Sequence, residues 1–108
     1  FVPKAESALV DDGKGYRVYH YNRAEGSRDF EFFNSELDTG ASFTSEGHGT
    51  HTRESVLVTA GELVLVLETV EYVMAEGDFI QFDSSRPHTY INRGEVMTVF
   101  TNIVYYEG

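Results

Sequence analysis

Four histidines are the residues of this chain best suited to chemistry: His20, His48, His51 and His88. The sequence contains no cysteine, so a bound metal would need ligands from His, Asp, Glu or a weaker oxygen donor. Neutral imidazole together with a carboxylate suits a divalent transition metal and leaves coordination positions open. Four histidines without close pairing are equally compatible with exposed loop positions and a hydrogen-bonded strand residue. Residue types alone therefore leave both interpretations open.

One carboxylate, Glu54, stands at the start of the otherwise apolar run 54–59. A buried carboxylate needs a metal, a cation or hydrogen-bond donors to remain charged. Glu54 is therefore either a candidate ligand or the partner of Arg53 or Arg86. The sequence has no phosphate-binding glycine motif and no nucleophile elbow.

Short strands separated by turns must position these side chains. Apolar and β-branched patterns predict strands at 17–21, 28–37, 54–59, 63–68, 71–74, 79–82, 88–92 and 95–106, with a turn at 22–27. A turn near Gly61 predicts that residues 54–68 form a hairpin. Because no segment repeats apolar residues at helical spacing, we expect no helix longer than about two turns. The pattern predicts an all-β sandwich or barrel.

Length and charge limit the possible functions. The chain has 108 residues, 41% of them hydrophobic, and a net charge of −10, which indicates one domain with a real core. Residues 1–15 read as a linker or edge segment, and residues 16–108 as the folded domain. The acidity argues against nucleic-acid binding by this domain and against an anionic membrane. No segment is apolar for the length of a membrane span, and the absence of cysteine fits the cytoplasm.

Two motifs between residues 48 and 92 resemble those of the cupin superfamily. In the first, His residues precede a Glu that is followed seven residues later by Gly, as His48, Glu54 and Gly61 do. The family usually has a second His two residues after the first. This chain has Thr50 there and His51 next to it.

The second cupin motif matches at its Gly, His and Asn positions, which are Gly77, His88 and Asn92. Its Pro and its second Gly are replaced by Asp83 and Ser85. The resemblance implies a double-stranded β-helix, the jelly-roll barrel of cupins, over residues 16–108.

The same resemblance implies a metal site formed by His48, Glu54 and His88, with His51 as a contingent fourth ligand. The metal would be a divalent transition ion such as zinc, iron, nickel or manganese. A metal-free barrel, in which these histidines are loop or packing residues, is the alternative.

Three further residues are candidates for ligand binding. The resemblance places the loop containing Arg86 at the barrel mouth, where a guanidinium could bind a carboxylate. A solvated loop arginine is an equally good interpretation. Tyr90 and Asn92 have the same strand parity as His88 and should face the same side. We therefore expect Arg86, Tyr90 and Asn92 to contact a small polar or carboxylate-bearing molecule.

More narrowly, residues 75–92 resemble the C-terminal cupin domain of bacterial helix-turn-helix regulators of the XRE type. This implies a cytoplasmic, effector-sensing, metal-binding domain whose DNA contacts belong to a linked helix-turn-helix domain. The alternatives are a small metal-dependent cupin enzyme, an oxygenase or isomerase, and a metal-free binding or storage cupin. By analogy we expect a homodimer with residues 95–104 or 17–21 near the interface.

Overall fold

The computed structural model describes residues 1–22, 30–49 and 51–106. Within these ranges the chain forms ten β-strands and one short 3-10 helix, Lys4–Glu6. The predicted turn at 22–27 lies outside the described residues except for Asn22. The strands are β1 (Ala8–Asp11), β2 (Tyr16–His20), β3 (Phe30–Leu37), β4 (Ser42–Ser45), β5 (Thr52–Ala60), β6 (Leu63–Leu67), β7 (Val70–Met74), β8 (Phe79–Asp83), β9 (His88–Ile91) and β10 (Thr98–Tyr106).

The strands form two antiparallel sheets that enclose a common core. One sheet has the order β1-β2-β3-β10-β5-β8 and the other the order β4-β9-β6-β7. Strand β10 lies between β3 and β5, so residues far apart in sequence become neighbours. This arrangement is a jelly-roll barrel, and the predicted all-β fold class is confirmed.

Alternation along the strands directs one set of side chains into the barrel. On β10 the buried residues are Thr98, Phe100, Asn102 and Val104, and the residues between them are more exposed. The apolar core draws on both sheets, since Phe100 packs in one cluster with residues such as Leu65 and Tyr90 of the other sheet. Polar side chains that share this inward parity are therefore placed inside the barrel.

The predicted hairpin over residues 54–68 is wrong. Strand β5 pairs with β10 and β8, whereas β6 pairs with β7 and β9 in the other sheet. The chain crosses between the sheets at Gly61, whose φ is +76° and where a Cβ would lie 2.8 Å from the Met97 carbonyl oxygen. Both strands bury apolar residues against the same core, so the turn folds the chain over the edge of that core. A local turn signal does not distinguish this crossing from a hairpin.

Two strands outside the predicted strand segments lie at sheet edges, and one of them falls in the segment 1–15 that reads as a linker or edge segment. The polar segment Ser42–Ser45 forms edge strand β4, which the sequence pattern did not indicate. Near the N-terminus, Ala8–Asp11 forms edge strand β1 and pairs with β2. Among the described residues, no helix has the length and apolar character needed to cross a membrane.

Candidate metal centre

Three side chains from both sheets meet at one end of the barrel. His48 lies in the loop before β5, Glu54 lies on β5, and His88 is the first residue of β9. One potential ligand atom from each of the three lies within 4.8 Å of the other two. The trio named by the sequence motif is thus brought together in space.

His88 presents a free nitrogen lone pair to this group. Its Nδ1 lies 2.9 Å from the Arg86 carbonyl oxygen, and because a carbonyl only accepts, Nδ1 must carry the proton. In neutral imidazole the lone pair then sits on Nε2. Among the described residues, His88 Nε2 is the buried side-chain nitrogen or oxygen atom that has no hydrogen-bond partner. Burial lowers the pKa of His88, which favours the neutral form that a metal requires.

Glu54 is fully buried, and the protein orients its carboxylate. Oε2 accepts hydrogen bonds from the Tyr90 hydroxyl and from Asn102 Nδ2, the latter at 2.8 Å. Oε1 lies 2.9 Å from His48 Nε2 and 3.7 Å from His88 Nε2. One oxygen is therefore held by the barrel while the other faces both imidazoles.

Neither arginine proposed as a partner for Glu54 contacts it. Arg53 donates to Gln81 Oε1 at 3.3 Å, and Arg86 donates to Glu68 Oε1 at 2.7 Å. The buried charge is instead stabilised by neutral donors and an imidazole. Carboxylates that bind metals are typically held in this way by hydrogen bonds from neighbouring side chains.

A buried polar chain continues from Glu54 through the core. Asn102 Oδ1 accepts a hydrogen bond from Ser35 Oγ at 2.9 Å, and Ser35 Oγ lies 3.4 Å from the Tyr16 hydroxyl. Sequence analysis did not identify Asn102 or Ser35. The available signal was a polar residue at an inward position between two apolar ones, as Asn102 lies between Phe100 and Val104 and Ser35 between Phe33 and Leu37.

A close backbone approach positions His48. Gly47 has φ +112°, and a Cβ there would clash with the Ser85 carbonyl oxygen. The His48 amide donates to the Ser84 carbonyl oxygen at 2.9 Å. These contacts attach the loop bearing His48 to the loop that leads into His88.

The contingent ligand His51 lies apart from the trio. It is exposed, its φ is +60°, and it is not a member of the His48–Glu54–His88 group. Its neighbour Thr50 lies outside the described residues. As a ligand, His51 stays a prediction without a contact to support it.

The three predicted ligand-binding residues occupy different surroundings. Tyr90 is buried, donates to Glu54 and lines a cavity of about 260 Å³ together with His48 and the aromatic side chains of Tyr16, Phe33 and Phe43. The guanidinium of Arg86 is largely exposed and paired with Glu68.

Asn92 is engaged by backbone groups at the opposite end of β9. Its Nδ2 donates to the carbonyl oxygens of Leu37 and Val96 at 2.9 and 2.8 Å. Its Oδ1 accepts from the Gly94 amide at 2.9 Å. For both Arg86 and Asn92, a role in ligand binding stays a prediction.

The donor set fits a divalent transition metal. Two imidazole nitrogens and one carboxylate oxygen form the combination found in open metal centres. The unpartnered lone pair of His88 would be satisfied by such an ion. His48, Glu54 and His88 are therefore the residues that could hold a metal.

Comparison with known proteins supports the architecture. The model of the family described as "Cupin domain" matches residues 33–104. The comparison with curated proteins gives no match.

Solved structures similar to this chain include both regulators and an isomerase. The Cupin_2 domain of an XRE family transcriptional regulator from Enterobacter cloacae has TM-score 0.82 and 22% identity, over 87% of this chain and 99% of that chain. An HTH_3 family transcriptional regulator from Vibrio cholerae has TM-score 0.82 and 23% identity, over 97% of this chain and 58% of its own. A sugar phosphate isomerase from the cupin superfamily of Silicibacter pomeroyi has TM-score 0.75 and 25% identity, over 99% of this chain and 76% of its own.

Proposed function

The chain belongs to the cupin domain family, and we propose that it is a metal-binding domain that senses a small-molecule effector for a helix-turn-helix transcriptional regulator. The observation that carries the proposal is the buried, unpartnered Nε2 of His88 facing Glu54 Oε1. Such an atom is costly to bury without a partner. A metal or a metal-held ligand gives it one.

His48, Glu54 and His88 would hold the metal, and when bound the ion supplies a Lewis-acidic position for a donor atom of the effector. His48 also lines the cavity of about 260 Å³, so one of the three candidate ligands borders the cavity. Tyr90 also lines the cavity and holds Glu54 by a hydrogen bond. The domain's own residues would thus hold an ion beside a mostly apolar cavity that is open to solvent on one side.

The similar structures support the regulatory part of the proposal. The Enterobacter cloacae domain, covered over 99% of its length, is described as part of an XRE family transcriptional regulator. In such a protein the DNA contacts would be made by a linked domain in the cytoplasm, because a domain of charge −10 repels phosphate. Effector binding must then favour one conformation over another, since equal affinity shifts no equilibrium.

We also propose a homodimer formed through the outer face of the six-stranded sheet. Phe32 and Tyr105 lie on this face and are 37% and 38% exposed. Covering such side chains is favourable in a self-complementary interface. Light scattering of the domain at tens of micromolar should give twice the chain mass, and a clean monomer would contradict the dimer.

A metal-dependent isomerase or oxygenase is the second candidate. The similarity to the Silicibacter pomeroyi isomerase, which extends over 99% of this chain, favours it. The same three ligands would serve either function. The difference lies in whether the bound molecule is converted.

The test is a thermal-shift screen of small metabolites on the metal-loaded domain, followed by mass spectrometry of each hit after incubation under air. A ligand at 100 times its Kd should stabilise the fold by about 2.7 kcal/mol. Each hit is repeated with His88→Leu, which should lose metal-dependent hits. Sensing predicts unchanged hits, and multiple-turnover conversion of any hit would instead establish an enzyme.

A further inference from the structure

The cavity beside the candidate metal centre has a mostly apolar wall. Both sheets contribute to it, with β1, β2, β3 and β10 on one side and β4 and β9 on the other. Five of the residues that line it carry only hydrocarbon side chains: Val10, Val18, Phe33, Phe43 and Val104. A bound molecule would therefore meet hydrocarbon over much of its surface.

Aromatic rings from both sheets give this wall its shape. Tyr16 of β2 and Phe43 of β4 stack with ring centroids 4.3 Å apart, and Tyr90 of β9 lies nearly parallel to Tyr16 at 6.3 Å. Contacts between aromatic rings are favourable beyond the area that they bury. The cavity is therefore formed by contacts within the protein, before any molecule enters it.

The tyrosine hydroxyls of the wall are already engaged inside the protein. The Tyr16 hydroxyl lies 3.4 Å from Ser35 Oγ, and the Tyr90 hydroxyl donates to Glu54 Oε2. A polar group along the chain of a ligand would have to compete with these internal hydrogen bonds. Burying such a group without a partner is unfavourable, so the wall favours a ligand whose chain is apolar.

The two carboxylates that line the cavity are engaged as well. Asp12 Oδ1 accepts the backbone N–H groups of Lys14 and Tyr16 at 2.7 and 3.1 Å. Glu31 accepts a hydrogen bond from the Tyr106 hydroxyl. Among the described residues that line the cavity there is no lysine or arginine. A second carboxylate on a ligand would therefore lose hydration without gaining a counter-charge.

A bound metal would supply positive charge at one end of the cavity. A divalent ion held by His48, Glu54 and His88 would have one carboxylate ligand and so keep a net positive charge, and His48 borders the cavity. Arg86, the residue expected from sequence to bind a carboxylate, is paired with Glu68. An anionic group is thus favoured at the metal and hydrocarbon along the rest of the wall.

We infer that the cavity takes a small monocarboxylate whose carboxylate binds the metal and whose remaining chain is apolar. The inference rests on the proposed metal-dependent binding and names the chemical class of the effector. A volume of about 260 Å³ equals that of about nine waters at roughly 30 Å³ each. A chain of the size of hexanoate therefore fits.

The first test varies the length of the chain. Acetate, butanoate and hexanoate share one carboxylate and differ only in the hydrocarbon that follows it. NMR titration of the zinc-loaded domain should show affinity rising about threefold for each added methylene, because each methylene leaves water for the apolar wall. A site that recognises the carboxylate alone would bind all three equally.

The second test varies the far end of the chain. Hexanedioate and 6-aminohexanoate keep the carboxylate and the methylenes of hexanoate but end in a negative and a positive group. Each should bind at least about fivefold more weakly than hexanoate, because a charged end loses hydration against a wall whose polar groups already have partners.

A variant assigns the chain-length preference to the wall. Val18 pairs with Ser35, which two hydrogen bonds through Asn102 connect to Glu54, so Val18 lies within reach of a chain bound at the metal. Val18→Thr keeps the side-chain shape but adds a hydroxyl to the wall, and should lower the preference for hexanoate over acetate about fivefold. The matched control is Val58→Thr, the same change at a buried β5 residue that does not line the cavity, and it should leave the preference unaltered.

The inference is overturned if hexanoate binds no more tightly than acetate, or if either analogue with a charged end binds as tightly as hexanoate. It is also overturned if Val58→Thr lowers the preference as much as Val18→Thr does. The comparisons of chain length and chain end use the wild type alone, so they hold even if a variant fails to fold. All these results are obtained on a domain that holds zinc, whereas failure of the proposed function would appear as a wild-type domain that takes up no metal.

Discussion

His88 begins strand β9 and Asn92 directly follows its end. Both are buried polar residues, but they differ in how completely the protein satisfies their hydrogen-bonding groups. At one end, Asn92 uses its whole amide group, with two bonds donated to carbonyl oxygens and one accepted from an amide. At the other end, His88 uses Nδ1 and leaves Nε2 buried without a partner among the described residues. Both side chains are about 1–2% exposed, so burial alone does not separate them.

The difference separates a buried polar side chain that the protein satisfies by itself from one that it leaves partly unsatisfied. Burying a polar atom is unfavourable unless a hydrogen bond replaces its water. Asn92 meets that condition by joining the end of β3 to the segment before β10, which closes the barrel. His88 does not meet it in the protein alone. The fold tolerates that cost at the end where Glu54 and His48 also converge.

The largest expected effect comes from replacing each residue by leucine in metal-free protein. Asn92→Leu leaves two carbonyl oxygens and one amide without their side-chain partner, and should lower the free energy of unfolding by about 3 kcal/mol. His88→Leu breaks one hydrogen bond and removes an unsatisfied atom, and should cost about 1 kcal/mol or less. Urea unfolding with chelator present measures both. Equal losses would contradict the distinction between the two ends.

The next effect concerns the residue that orients the metal-facing carboxylate. Asn102→Leu removes the 2.8 Å hydrogen bond to Glu54 Oε2 and should weaken metal binding about 10- to 100-fold. Asn34, which lies on β3 with outward parity and accepts a bond from Thr101, provides the matched control. Asn34→Leu should leave metal affinity unchanged in competition with a chelating dye. A similar loss in both variants would point to general destabilisation.

A smaller effect is expected from the loop that bears His48. Gly47→Ala places a Cβ against the Ser85 carbonyl oxygen, so the loop must shift, and metal affinity should fall about tenfold for strain of about 1–3 kcal/mol. Gly49→Ala carries a similar positive-φ strain but meets no atom within 4 Å. The same dye competition should show a clearly smaller loss for Gly49→Ala. If the order is reversed, the close approach at Gly47 does not position His48.

The smallest effect lies at the Asn92 end. Hydrogen bonds from Arg17 lower the pKa of Asp38, which follows the residue whose carbonyl Asn92 binds. A lowered folded-state pKa gives stability that is present above the ordinary Asp pKa of about 3.9 and is lost as pH falls through the folded value. In Arg17→Ala, NMR titration should show the Asp38 pKa rising towards its ordinary value, with metal content unchanged. An unmoved Asp38 pKa would show that Arg17 is not its cause.

The sequence predicts which of these side chains point into the barrel. It does not predict which of them the protein satisfies with hydrogen bonds. Strand parity correctly places His88 and Tyr90 inside the barrel, and motif spacing identifies the trio that the fold brings together. Parity gives a direction only, so Asn92 and His88 look alike in sequence. What separates them is the set of backbone groups around each side chain: those of Leu37, Gly94 and Val96 around Asn92, and only the Arg86 carbonyl at His88.

The features that sequence could not supply depend on distant pairing. The crossing at Gly61 follows from the packing of β5 and β6 on one core, which no local turn signal reports. Arg86 has its partner in Glu68, eighteen residues away along the chain. Asn102 becomes a support for Glu54 only because β10 lies beside β5.

Elemental analysis of the domain purified without chelator at neutral pH, then exposed to zinc and desalted, tests the central claim most directly. The account predicts about one metal ion per chain in the wild type and in Asn92→Leu. It predicts none in His88→Leu, because the unpartnered nitrogen is a ligand. Stoichiometric metal that survives His88→Leu, or a wild-type domain that binds none, would contradict it.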